Sequence, residues 1–296
     1  MAASAQDIIA GRKTLFITPD TSIFPESFCE DYLAEGYECY FIQNEKKISL
    51  EQKIEIIISV FNDVILFFNL DANIPGVDIY SMIKRIRERH GDEVLMGAMF
   101  CKRQNKDEKA RIEYKYLYDL GLTCGCIQLE YQKKQNFDII EKVLFANQAM
   151  GRRKSVRALG NNGCTFGFTY NKESYSGVLQ DISVSHFSFV MPKDQLKLKS
   201  YERIEDIQLN IKGLHFRSSA IFFMSREVSE DKILMVFMFS KDQGGAGLDL
   251  FTQQLLVPRI YDLMQDTCKN FLKRLYDSYM EKRNKEDPAE PIDFIE

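Results

Sequence analysis

The chain has 296 residues, enough for two domains, with 45% hydrophobic and 28% charged residues and a net charge of -4. That balance excludes general nucleic-acid binding, which needs a broad basic surface, though it leaves room for a local basic cluster. Seven cysteines (Cys29, Cys39, Cys101, Cys124, Cys126, Cys164 and Cys268) stand mostly singly among apolar neighbours, as buried reduced thiols do. The Cys124-x-Cys126 pair has no second Cys/His pair at zinc-site spacing, so no metal or cofactor is expected. The stretch from Ile54 to Leu70 is broken by Asn62 and Asp63, and Met1 to Gln6 lacks the charged-then-apolar order of a secretion signal. A cytoplasmic protein without membrane insertion is the expectation.

The first half, residues 1–150, alternates strand and helix. Thr14 to Thr18 reads as a strand, followed by a helix with Pro25 near its first turn and Gly36 past its end. Glu38 to Ile42 is the second strand. Ser49 and Gln52 form a capping-box pattern before a helix that runs through Ile54 to Phe61. Val64 to Phe68 is a continuous apolar run, the pattern of a strand covered on both faces. Ile79, Met82, Ile83 and Ile86 follow at helical spacing. Val94 to Phe100, a helix over Asp107 to Leu120, a strand over Gly125 to Leu129 and a last helix over Phe137 to Met150 complete the half. The alternation predicts a doubly wound parallel sheet of the flavodoxin type.

In order and length this half resembles a response-regulator receiver domain, and Asp71-x-x-x-Pro75-Gly76 resembles that family's phospho-acceptor turn. Phosphoryl acceptance also needs an acidic magnesium site, a lysine and a hydroxyl. The first strand ends Thr18-Pro19-Asp20, the fourth ends Phe100-Cys101 where the family has Ser or Thr, and the fifth runs into Leu129-Glu130-Tyr131 without Lys-Pro. Only Asp71 and Asp20 survive. The expectation is a pseudo-receiver that contacts a protein partner, with Asp71 a residual phospho-acceptor candidate.

After Met150 the period changes from helical to alternating. Strand patterns cover Arg157 to Leu159, Thr165 to Tyr170, Tyr175 to Ile182, Phe187 to Met191, Ile204 to Ile211, Leu214 to Met224 and Ile233 to Phe239. Turn signals such as Gly160-Asn161-Asn162-Gly163 and Asn171-Lys172 separate them. Short strands at this spacing predict an antiparallel barrel or sandwich. Gly244, Gly245 and Gly247 introduce a terminal helix from about Leu248 to Tyr279, whose apolar residues (Leu255, Ile260, Leu263, Cys268, Phe271, Leu275) offer a face for the barrel or a partner. The expected domain spans 151–280, and the charged segment 281–296, with Pro288 and Pro291, reads as a disordered tail.

Two constellations stand in this second half: Arg153-x-x-x-Arg157, preceded by Arg152, and Asp181-x-Ser183 followed by His186. Their pairing resembles the PilZ domain, whose pattern is R-x-x-x-R followed by D/N-x-S-x-x-G, over about residues 150–276. The resemblance implies an antiparallel β-barrel with a terminal helix, cyclic di-GMP as ligand, and bacterial second-messenger control of motility, surface structures or secretion. Carried over by position, it implies that Arg153, Arg157, Asp181 and Ser183 bind the ligand, with Arg152 an accessory contact. His186 replaces the motif glycine and is itself a candidate ligand contact, its imidazole open either to stacking on a base or to clashing with the guanine. If that position needs a positive φ, strain costs on the order of 1–2 kcal/mol.

The chemistry suits these residue types. Guanidinium groups bind phosphate bidentately, grip the O6/N7 edge of guanine and stack on purines. A carboxylate accepts from guanine N–H groups, and a serine hydroxyl donates or accepts. The function expected is a receptor that couples cyclic di-GMP binding to rearrangement of its two halves; the alternative is a degenerate module acting as a protein adaptor. The chain carries no P-loop, dinucleotide glycine motif, nucleophile elbow or metal-ligand cluster, and His90 and His215 look solitary, so an enzyme is not expected.

Overall fold

A computed structural model describes residues 11–18, 24, 27–44, 48–61, 63–101, 103, 105–151, 155–241 and 244–286. Asp20, Pro25, Arg152, Arg153 and the chain beyond Glu286 lie outside them. Two compact units emerge, one chiefly Gln132–Gln265 with Ser22–Tyr40, the other chiefly Phe41–Tyr131 with Asp266–Glu296. The boundary near residue 150 stands as a reading of the sequence.

The first half builds a five-stranded sheet from β1 (Lys13–Ile17), β2 (Cys39–Ile42), β3 (Val64–Asn69), β4 (Leu95–Cys101) and β5 (Cys126–Leu129). Their order is β2-β1-β3-β4-β5. The registers of β3 with β4 and β4 with β5 are parallel. On the other side, Thr14 N bonds Glu38 O and Thr18 N bonds Ile42 O, which advance together along both strands. Every residue of β3 is buried, as its apolar run requires of a central strand.

The helices between the strands are α1 (Phe28–Ala34), α2 (Leu50–Val60), α3 (Ile79–His90), α4 (Lys106–Glu113) and α5 (Lys133–Ala146). The capping box on α2 is present in both directions, at 3.2 Å each way. The helix expected over Asp107 to Leu120 changes to a π-helical turn from Tyr114 to Asp119. The last helix starts and stops earlier than its apolar spacing suggests. Gln148 takes a φ of 57°, and Met150 leaves the helix to form an antiparallel bridge with Tyr37. His90 is not solitary: its Nε2 lies 2.8 Å from Glu55 Oε2 on α2, a pairing far apart in the chain.

The second half supplies β6 (Ala158–Leu159), β7 (Cys164–Tyr170), β8 (Glu173–Ile182), β9 (His186–Pro192), β10 (Arg203–Ile211), β11 (Leu214–Glu227) and β12 (Lys232–Ser240). Neighbours run β6-β8-β7-β10-β11-β12-β9, and a further β8–β9 pairing closes the barrel. β8 achieves this by changing neighbours. Its first part pairs with β7, from Leu179 onward it pairs with β9 through a register shift before Asp181, and its last two residues also pair with β6. Gly160 makes the close approach of β6 to β8 feasible, since a Cβ there would meet Leu179 O at 2.0 Å. Stacked phenylalanines fill the interior: Phe166 on Phe189 at 3.9 Å and Phe187 on Phe237 at 5.3 Å.

Helix α6 (Leu250–Glu286) follows, with Asp249 accepting from Thr252 N before it. It continues beyond Glu281, where a disordered tail was expected. Glu281-Lys282-Arg283 and the residues after them are helix formers of mixed charge, and the prolines come only later. Leu256, Ile260, Leu263, Met264, Cys268 and Leu272 form its buried face, while Leu255 is exposed. Phe271 meets Phe61 at a ring distance of 5.8 Å. Among the described residues no helix is long and apolar enough to cross a membrane.

Candidate functional site

The site is assembled where β6, β8 and β9 meet. Arg157 immediately precedes β6, whose Ala158 and Leu159 pair with Ile182 and Asp181 at the end of β8. This short ladder brings the two halves of the sequence motif together: Arg157 Nη1 lies 3.7 Å from Asp181 Oδ1. That is an ion pair too long for a hydrogen bond. Both side chains are partly exposed, at 27% and 19%.

Asp181 Oδ1 is itself buried and has no hydrogen-bond partner among the described residues. Across the ladder, Asp181 faces Ser188 of β9. Phe187 and Phe189 point into the barrel, so Ser188 between them points outward, on the side of His186. Ser188 is nonetheless 0% exposed, and its hydroxyl also lacks a partner among the described residues. A buried polar atom without a hydrogen-bond partner costs roughly 1–3 kcal/mol.

Ser183, which the motif implies as a ligand contact, lies in the turn between β8 and β9. It is 1% exposed. Its hydroxyl accepts from the amides of Ser185 at 3.3 Å and His186 at 3.0 Å, and donates to the His186 carbonyl at 3.1 Å. It builds the turn between β8 and β9, as serine does when it satisfies local backbone groups. Ser185 is the more available hydroxyl. It lies 2.9 Å from His186 Nδ1 and 3.4 Å from Ser155 Oγ, tying the turn to the segment that carries Arg157.

His186 carries no left-handed strain, which corrects the penalty expected for replacing glycine. It opens β9, paired with Met238 of β12, and the non-glycine residues with positive φ lie elsewhere. The ring is half-buried. Burial first, and then the positive charge of Arg157, hold its pKa below the ordinary 6.5, while Asp181 pulls it upward.

Asp71 lies just beyond β3. The Arg103 guanidinium and the Cys101 amide both donate to its carboxylate, and Arg103 also reaches Glu108. A cation from this chain thus sits on the carboxylate that a phospho-acceptor site would offer to a metal and a phosphoryl group. Among the described residues no group of three or more His, Cys, Asp or Glu side chains is placed to hold a metal ion.

Sequence reasoning missed Ser155, Ser185 and Ser188, as well as Arg103. The motif leaves the serine positions open, and only the strand register and the turn make them neighbours of Asp181 and His186.

The second half is thus a closed antiparallel barrel carrying an Arg–Asp pair at the end of β8, with a helix after it. No protein-family profile matches the chain, and no curated protein sequence matches it. Among solved structures it is similar to YcgR in complex with c-di-GMP from Escherichia coli, at 13% identity over 47% of this chain and 52% of that one, TM-score 0.29. It is also similar to the PilZ domain of YcgR with c-di-GMP from Escherichia coli, at 14% identity over 40% of this chain and 96% of that one, TM-score 0.32. A third is MrkH of K. pneumonia, at 15% identity over 42% of this chain and 55% of that one, TM-score 0.34. The matched region spans about half the length of the longer YcgR and MrkH chains. At these TM-scores the superposition is loose and assigns no function.

Proposed function

We propose that this chain is a receptor for cyclic di-GMP, bound on the outer face of the barrel where β6, β8 and β9 meet. The observation that carries this reading is the Arg157–Asp181 pair, held at 3.7 Å with one carboxylate oxygen buried and without a hydrogen-bond donor among the described residues. The guanidinium matches a phosphate or the O6/N7 edge of guanine, and the carboxylate matches the N–H donors on the same base. Ser185 and Ser188 add short-range polar contacts. Arg152 and Arg153 complete the cation set from the segment just before Ser155, and Ser183 supports the turn. Binding draws that segment onto the barrel and so couples to the arrangement of the two halves. No chemical step is part of the proposal.

Titration calorimetry with cyclic di-GMP on the folded full chain tests it. Saturable heat that Arg157→Ala weakens supports the reading; no heat at protein concentrations in the micromolar range counts against it. A second reading, an adaptor that binds a protein and no nucleotide, is favoured by Arg103 occupying Asp71 and by Arg157 already having an acidic partner. Under that reading Arg157→Ala changes partner capture, and cyclic di-GMP gives no heat.

A further inference from the structure

The barrel's outer face also carries three rings in successive contact. Phe223 of β11 meets His186 edge-on at 5.9 Å, and Tyr201 meets Phe223 edge-on at 6.5 Å. The register explains why they share a face: His186 pairs with Met238, and Met238 with Ile221, two positions before Phe223. Phe223 is the extra residue of a β-bulge, because Phe222 pairs with Phe237 and Met224 already pairs with Val236. A bulge re-aims a side chain and recurs next to binding sites.

Tyr201 is unusual in its backbone. It adopts a φ of 66°, a region tyrosine rarely takes, yet its side chain is 70% exposed and Phe223 is 43% exposed. Two backbone bonds of 2.8 Å, Tyr201 N to Phe222 O and Phe222 N to Glu202 O, hold it there. Backbone strain that presents an aromatic ring to solvent gains nothing for the core. An edge-on contact covers one face of only one of its two rings, and an exposed aromatic face stacks on any purine.

We infer that Tyr201 and Phe223, with His186, form a stacking platform for a purine base, extending the site from the Arg157–Asp181 pair along the outer face of the barrel. The inference rests on the cyclic di-GMP reading. One guanine is gripped at its edge by Arg157 and Asp181, and the platform takes the flat face of a base, which those two groups leave open. Tyr201 and Phe223 are binding residues here, and His186 joins them to the Ser185–Ser155 contacts.

The test is calorimetric titration of cyclic di-GMP into the full chain and into Phe223→Ala, Phe223→Trp, Tyr201→Ala and Arg157→Ala, with a thermal melt of each. Phe223→Ala and Tyr201→Ala are expected to weaken binding about ten-fold, and Phe223→Trp to keep wild-type affinity. If Phe223→Ala melts early, Phe223→Leu removes the ring while keeping an apolar side chain and decides the same question. Wild-type affinity in both Phe223→Leu and Tyr201→Ala, with Arg157→Ala weakened, overturns the platform and leaves the receptor reading standing. No binding by the wild-type chain overturns both.

Discussion

Asp181 and Ser188 face each other across β8 and β9, and each keeps a buried oxygen that no donor among the described residues reaches. A buried polar atom without a partner destabilises the free protein by roughly 1–3 kcal/mol. Ser188→Ala removes one such atom with little change of volume. Its urea midpoint is therefore expected to stay level or rise, by up to about 1 kcal/mol in unfolding free energy. Its affinity for cyclic di-GMP is expected to fall several-fold. Parallel denaturation and titration check the two directions; a stability loss with unchanged affinity would mean that Ser188 only packs.

Arg157 carries the opposite signature. Its ion pair with Asp181 is partly exposed and, at 3.7 Å, longer than a hydrogen bond, so it contributes less than about 1 kcal/mol to folding. Contacts of its guanidinium with a phosphate or a guanine edge are worth about 1.5–3 kcal/mol. Arg157→Ala should melt close to wild type and bind at least about ten-fold more weakly. Arg157→Lys keeps the charge without the planar fork and should recover only part of the affinity, since lysine cannot bind bidentately.

His186 gives the fold a pH dependence of defined sign. Burial and Arg157 lower its folded pKa below the ordinary 6.5, so in acid the unfolded chain takes up the proton more readily than the folded one. The stability linked to this residue is present in full above pH 6.5 and is lost as pH falls through the lowered folded value. His186→Gln is expected to flatten that slope across the acidic side of neutrality. Arg157→Ala removes one of the two depressing influences and should move the slope toward higher pH. Urea midpoints across that range read both effects, and an unchanged slope in His186→Gln would remove His186 as its cause.

What the sequence made legible is local. The Ser49–Gln52 capping box needs only four consecutive positions, and both of its bonds form. The Arg157 and Asp181–Ser183 motif is equally short-ranged in each half, and the register of β6 on β8 joins those halves. What escaped depends on partners distant in sequence. Ser188 reads as an ordinary strand residue until β8 lies beside it, and Phe223 reads as one more aromatic until the bulge against β12 turns it outward. Ser183 reads as a ligand contact from its motif position, and its bonds within the turn depend on backbone geometry three residues on. Helix ends were the least legible: α5 stops at Ala146 because Met150 has a bridge to make with Tyr37.

Arg103 decides the behaviour of Asp71. The carboxylate already holds the Arg103 guanidinium and the Cys101 amide, so a divalent ion must displace a fixed positive charge to enter. The Cys101 thiol is held above its ordinary pKa, first by burial and then by its hydrogen bond to Asp71, and so stays protonated there at neutral pH. Incubation with a small phosphodonor and magnesium is therefore expected to leave the intact mass unchanged. Asp71→Asn loses the ion pair and leaves the partly buried Arg103 with Glu108 alone; a loss of about 1–3 kcal/mol in unfolding free energy is expected. A stable phosphoryl adduct on the wild-type chain that Asp71→Asn abolishes would show instead that Arg103 yields to the metal and that the first half is a working receiver.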